Sequence, residues 1–376
     1  MKIIAHFDGH GVALAALAAR YYNLPLDSVI AYRYPVTAPE NFHKLSEFVA
    51  PGVLYSDNEY LILDIPINVK DPDIFMRGFH AIFQNARKLT GRPVTIMYFD
   101  HHATNLQFLR LLPAFVKYIH FPDAYSLNLH FVRPDNRDER HLAMIGAICD
   151  RDRAVLPDLE REEELIRDEL LTWAAGLDYL VRNDPERALR ACYNLDFATL
   201  RNAARNIPEP PPNIELLEGV VLCLDELTPA WSPKQLEQLC IRNNVPYAVG
   251  FVQDPRTKTW VVRAVTLWTS NAPPVKNLIE NIIGSRNCYG HPAAPVIACV
   301  DRNDAERFAR TVAETISQRV REQKITAREE KLRDLLSVLV EILDEQRKLY
   351  REYLELKRKQ VELLERAEGS SARRYD

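Results

Sequence analysis

The tripeptide Asp100-His101-His102 follows directly on the apolar run Pro93-Val94-Thr95-Ile96-Met97-Tyr98-Phe99. A run this rich in β-branched and aromatic residues predicts a buried strand, and an open α/β sheet presents its ligands at the carboxyl ends of such strands. Three metal-competent side chains therefore arrive together at one sheet edge. The pattern recurs along the chain. Lys2-Ile3-Ile4-Ala5 reads as a strand and runs into His6-Phe7-Asp8-Gly9-His10-Gly11, ahead of an Ala-rich helix from Val12 to Tyr22. Alternation places His6, Asp8 and His10 on one side of this turn, while Gly9 and Gly11 let the backbone bend close to a metal or phosphate. A third strand, Tyr60-Leu61-Ile62-Leu63, ends in Asp64, and the apolar run Leu142 to Cys149 ends in Asp150.

Carboxylates buried this close together repel one another and rise in pKa unless cations neutralise them, so the cluster implies divalent metal ions, two being the natural number. Mixed imidazole and carboxylate donors favour Mn2+ or a neighbour in the series over Mg2+, which prefers all-oxygen shells.

These residues resemble the motifs of the DHH-type phosphoesterases, the superfamily of RecJ-type exonucleases, nanoRNases with pAp phosphatase activity and type II pyrophosphatases. The first motif, His-x-Asp-x-Asp-Gly, is similar to His6-x-Asp8-x-His10-Gly11, the second to Asp64 and the third to Asp100-His101-His102. The fourth, an Asp after a small apolar helix, is matched by Asp150, with Asp152 as the alternative. The resemblance implies that His6, Asp8 and Asp64 hold one metal and that His10, Asp64, His101 and Asp150 hold the other, Asp64 bridging the two. It further implies that His102 faces the scissile phosphate and that Asp100 orients a neighbouring imidazole. His10 departs from the motif's aspartate, which leaves the site one charge more positive and favours a softer ion.

The superfamily's second domain carries a Gly-Gly-His motif that binds substrate. The counterpart here is Arg286-Asn287-Cys288-Tyr289-Gly290-His291, in which Tyr289 replaces one glycine, so Arg286, Gly290 and His291 are the implied substrate-binding residues. The resemblance spans roughly residues 1 to 322.

A chain of 376 residues, 47% hydrophobic and 27% charged, can build real cores and lies far from the disordered class. Its formal net charge of −4 means that nucleic acid is met by a local basic patch or by metals, not by a global field, which disfavours long duplexes. The six cysteines form no CxxC pair, the N-terminus lacks a signal-peptide pattern and no apolar stretch reaches membrane-spanning length, so a cytoplasmic protein without a membrane partner is expected.

Expected helices at 73–88 and 104–114 alternate with the strands, which predicts an α/β fold with a mostly parallel sheet. Residues 1–155 form the expected catalytic domain. Residues 156–212 form a helical connector, read as helices at 156–180 and 185–204, that closes on the cluster Ile207-Pro208-Glu209-Pro210-Pro211-Pro212, which cannot continue a helix. Residues 213–325 form a smaller α/β domain. From 326 to 368 the composition changes to heptads with Leu332, Leu339, Gln346, Tyr353 and Gln360 at a and Leu335, Ile342, Leu349, Leu356 and Leu363 at d. A long helix or coiled coil follows, and a homodimer through it, with the glutamines setting register or strand number. Residues 369–376 read as a frayed, disordered end.

The expected activity is that of a metal-dependent phosphodiesterase or exonuclease acting on single-stranded DNA or RNA, or on short oligonucleotides, and releasing nucleoside 5′-monophosphates. The alternatives are a catalytically weak or inactive scaffold subunit of a replication or repair assembly, and a hydrolase of small phosphoesters such as pAp or cyclic dinucleotides.

Overall fold

The structure is a computed structural model describing residues 1–6, 8–32, 56–67, 72–254, 257–284, 286–291 and 293–372. It divides into two compact units, Met1–Glu209 with Trp268–Asn271, and Pro210–Leu267 with Ala272–Asp376. The division falls inside the proline cluster, where neither helix nor ladder can propagate.

The first unit is built on strands β1 (Lys2–His6), β2 (Val29–Tyr32), β3 (Glu59–Leu63), β4 (Thr95–Asp100) and β5 (Val116–His120). They form one all-parallel sheet in the order β2-β1-β3-β4-β5. Parallel sheets need cover on both faces, and the strands are accordingly apolar almost throughout. On β3, Leu61 and Leu63 join Val12, Leu14 and Leu17 of helix α1 (Gly9–Tyr21) in one core, while Tyr60 and Ile62 pack on the other face. That second core is completed by helix α2 (Pro72–Thr90), whose Phe75, Phe79, Ile82 and Ala86 recur at helical spacing. Helices α3 (Ala124–Leu129) and α4 (Arg137–Cys149) join α1 on its side of the sheet.

The expected helix at 104–114 is instead a 3₁₀ segment, Ala103–Leu111. The connector contains four helices where two are expected: α5 (Leu156–Arg161), α6 (Glu164–Asn183), α7 (Pro185–Asn194) and α8 (Phe197–Ala204). Between the last two, Leu195 takes a left-handed conformation (φ 56°) and Asp196 caps α8 by accepting from Thr199 N at 3.1 Å.

The second unit holds strands β6 (Ile214–Leu217), β7 (Val220–Cys223), β8 (Tyr247–Gln253), β9 (Trp260–Thr266), β10 (Cys288–His291) and β11 (Ala294–Cys299) in a mixed sheet of order β10-β11-β9-β8-β7-β6. Helix α9 (Ser232–Asn243) covers one face through Leu236, Leu239 and Cys240. The other face takes α10 (Val275–Ile283) and the first turns of α11 (Arg302–Ala372), which contribute Ala305, Phe308, Ala309, Val312 and Ile316. The helical stretch that packs on the second unit and the heptad segment from 326 are one uninterrupted helix, because no glycine or proline lies between them to break it. It runs past Gly369 to Ala372, beyond the end expected for ordered structure, and residues 373–376 lie outside the described residues.

Candidate metal centre

Sheet order reverses between β1 and β3, and the crevice outside the carboxyl ends of strands at such a switch point is where open α/β sheets bind ligands. His6 ends β1, Asp64 follows β3, and Asp100, His101 and His102 close β4. Asp8 is the N-cap of α1, its Oδ1 accepting from Gly11 N at 2.8 Å, and Asp150 is the C-cap of α4. Side-chain-free residues make this convergence possible. A Cβ on Gly11 would stand 2.0 Å from the His6 carbonyl oxygen, and one on Gly9 would stand 2.6 Å from Asp178 Oδ1 and 2.7 Å from Cys149 Sγ. The helix N-terminus is thereby pressed against both the end of β1 and the residue before Asp150.

The donors form two overlapping groups, His6, Asp8 and Asp64, and His10, Asp64 and His101, with Asp64 common to both. Their atoms stand close: His6 Nδ1 to Asp8 Oδ2 2.8 Å, His10 Nδ1 to Asp64 Oδ2 2.8 Å, and His101 Nε2 to Asp64 Oδ1 3.1 Å. Asp150 Oδ2 lies 3.7 Å from His101 Nε2. Asp152 is spent elsewhere, accepting from Tyr125 N at 2.8 Å and Ala154 N at 2.9 Å. Asp64 sits at φ 55°, a left-handed conformation that aspartate tolerates better than most residues but that still costs energy, and its N–H is held by the Phe99 carbonyl at 3.0 Å.

The buried imidazole of His10 is the decisive element. Asn128, itself fully buried, donates from Nδ2 to the Ala143 carbonyl at 3.0 Å, so its Oδ1 faces His10 Nε2 at 3.1 Å. An oxygen there requires the ring hydrogen on Nε2, which leaves Nδ1 of the neutral ring as a bare lone pair. Nδ1 makes no hydrogen bond, yet it lies 2.8 Å from a carboxylate oxygen. Two lone pairs at that distance need a proton or a metal cation between them, and the mixed imidazole and carboxylate donors fit a divalent metal ion.

Without a cation, protons take that place. Burial lowers the basicity of His10, but Asp64, with Asp150 and Asp8, outweighs it and lifts the pKa to about 10. Burial drives Asp150 the other way for a carboxyl, up to about 6, with the charge of Asp64 adding to it and His10 and His101 opposing. Burial also works to raise Asp64, but contact with His10 and His101 holds it well below the usual carboxylate range.

Behind the cluster, Asp100 is fully buried, and its Oδ1 accepts from His102 N at 2.6 Å and faces His102 Nδ1 at 2.7 Å. Burial disfavours the charged His102 ring, yet the bond and charge of Asp100 lift its pKa to about 9. Asp100 Oδ2 lies 3.1 Å from the Tyr98 hydroxyl, which also meets the Ile65 carbonyl and accepts from Asn105 Nδ2 at 2.6 Å. Asn105 in turn fixes the strand-end loop by accepting from Ile67 N at 2.7 Å. Sequence reasoning does not single out Asn128, Tyr98 or Asn105 for the site. The alternation that puts Tyr98 on the face of Asp100 is the one signal that could have found any of them.

The remaining candidates belong to the second unit. Gly290 and His291 lie on the edge strand β10, not in a loop, with Gly290 opposite Pro295 and His291 opposite Ala294. Arg286 pairs Nη1 and Nη2 with Asp304 at 2.6 and 2.8 Å, and its guanidinium lies 4.2 Å from the centre of the Phe308 ring.

No family model and no curated protein matches the chain by sequence. Among solved structures it is similar to RecJ in complex with Mn2+ from Thermus thermophilus (15% identity, TM-score 0.42, 85% of this chain and 52% of that one). It is similar also to the pGpG-specific phosphodiesterase PggH from Vibrio cholerae (11% identity, TM-score 0.44, 84% and 98%) and to CDC45 from Entamoeba histolytica (7% identity, TM-score 0.40, 84% and 94%). The chain thus spans about half the length of the Thermus protein. The chain itself is α/β, with an all-parallel sheet, a second mixed sheet and a long C-terminal helix.

Proposed function

We propose that the chain is a metal-dependent phosphodiesterase of DHH type that cleaves short single-stranded oligonucleotides to nucleoside 5′-monophosphates. The observation that carries this reading is the bare Nδ1 of His10 facing the Asp64 carboxylate inside a cluster where Asp64 serves two donor groups. His6, Asp8 and Asp64 would hold one ion, and His10, Asp64, His101 and Asp150 the other. When bound, two divalent ions polarise phosphoryl oxygens and acidify water, with Mn2+ the best match to the imidazole-rich set.

The protein's own groups supply the rest. Asp100 holds His102 by Nδ1, and the one-third-exposed ring keeps Nε2 clear of any hydrogen bond among the described residues. A protonated ring so held offers Nε2–H to a phosphoryl oxygen as negative charge builds there. Gly290 and His291 are the substrate-side residues of this proposal, and Arg286 supports them by tying their strand to the start of α11.

The engagement of Arg286 by Asp304 favours a second reading, a scaffold that has given up its substrate contacts. Incubating end-labelled DNA and RNA oligonucleotides of graded length, and pAp, with Mn2+ or Mg2+ separates the two. We expect monophosphate release from the short oligonucleotides and none from Asp64→Ala. Tight metal binding without hydrolysis of any substrate would favour the scaffold and overturn the proposal.

A further inference from the structure

From Arg321 to Leu363 every side chain of α11 is exposed. The helix leaves the second unit after ion pairs from Arg321 and Lys324 to Glu218, and then continues for about 70 Å at the usual rise per residue. Leu332, Leu335, Leu339, Ile342, Leu349, Tyr353, Leu356 and Leu363 are each at least half exposed. A stripe of large apolar side chains on this scale is comparable to one side of a standard interface, ~800 Å², and an isolated helix does not keep it in water.

We infer that a second copy of this chain covers the stripe, the two helices running parallel and in register. The position of the polar residues selects this occupant and this orientation. Gln346 and Gln360 both fall at a, where in-register pairing sets each amide against its own counterpart. A one-heptad shift sets Gln346 against Leu339 or Tyr353, and a two-heptad shift keeps one amide pair, Gln346 with Gln360, while it sets the other Gln346 against Leu332, so only the in-register pairing matches both glutamines. In a parallel pair a g residue meets the e residue five positions on in the other helix, which joins Val338 to Leu343 of the second copy and Glu352 to Lys357 of the second copy, two complementary pairs, while Lys331, Glu345 and Lys359 meet Leu336, Tyr350 and Leu364. Because residues 305 to 316 of the same helix lie in the core of the second unit, the parallel arrangement brings two such units to one end of a shared stalk.

Light scattering on the full chain should give twice the chain mass. Leu335→Glu combined with Ile342→Glu should give a monomer, with the folded units unchanged because both side chains are more than half exposed and belong to neither buried core. Cysteine reporters then read orientation, since no native cysteine lies in α11. Leu349→Cys, at d, should form a disulfide-linked dimer under mild oxidation, while Ser337→Cys, on the outer f position, and the unmodified protein should not. A monomer, a trimer or larger assembly, a helix occupied by a different protein, or a Leu349→Cys yield no higher than that of Ser337→Cys would each overturn the inference.

Discussion

Asn128 Oδ1 stands 3.1 Å from His10 Nε2, and this contact between α3 and the N-terminus of α1 decides which nitrogen of the buried ring can take a metal. Replacing the amide by an apolar group of similar size frees the ring hydrogen to move to Nδ1, where it competes with the ion. Asn128→Leu should therefore weaken Mn2+ binding about 10- to 100-fold, the usual cost of losing a partner behind a ligand. Calorimetric titration with Mn2+ measures it, and unchanged affinity would show that the tautomer is set by something else.

His10→Asp tests the choice of ion. The substitution adds a negative charge and replaces a nitrogen donor with oxygen, both of which suit Mg2+. Wild-type hydrolysis should be fastest with Mn2+, and the variant should narrow the difference by raising the Mg2+ rate. Equal rates with both ions in both proteins would mean that position 10 does not select the metal.

Much of this centre is legible in the sequence because it hangs on the ends of long apolar runs, where side-chain alternation and the sheet's carboxyl edge leave few choices for Asp64 and Asp100-His101-His102. The edge strands β2 and β5 are not, since four or five residues with little alternation give no periodic signal. Asn128 lies 118 residues from His10, so its role depends on packing that no local pattern encodes. The unbroken α11 is a different case: its apolar pattern changes from a core face to heptads near residue 325, and a change of pattern reads as a boundary although the backbone has no reason to stop.

The metal-free protein should respond to pH in a defined sense. His10 and His102 have folded pKa values raised to about 10 and about 9, so their contribution to stability is complete below the unfolded value near 6.5 and disappears as pH rises through 9 and 10. Asp150, raised to about 6, acts in the same direction, its protonated form being lost as pH passes that value. Asp64 and Asp8 are depressed and contribute above the ordinary carboxylate range, losing their effect only in acid. Melting temperature without metal should fall from pH 6.5 to 10, and the increase produced by Mn2+ should grow over the same range as protons stop competing for the imidazoles. Calorimetric scans with chelator and with Mn2+ check both, and a metal effect that shrinks with rising pH would contradict the ligand assignment.

Tyr98 joins two parts of the centre that the chain separates. Its hydroxyl touches the Ile65 carbonyl just after Asp64, lies 3.1 Å from Asp100 Oδ2, and accepts from Asn105 at 2.6 Å. Tyr98→Phe keeps the ring packed against Phe75, Phe79 and Tyr118 but removes the hydroxyl that accepts from Asn105 Nδ2 and faces Asp100 Oδ2, a loss of about 1–3 kcal/mol in stability. Asp100 would then hold His102 less firmly, so kcat should fall about 10-fold while metal occupancy and KM stay close to wild type. A structural role alone would lower the melting temperature and leave kcat per folded molecule unchanged, so measuring both on the same preparation separates a residue that positions His102 from one that only fills the core.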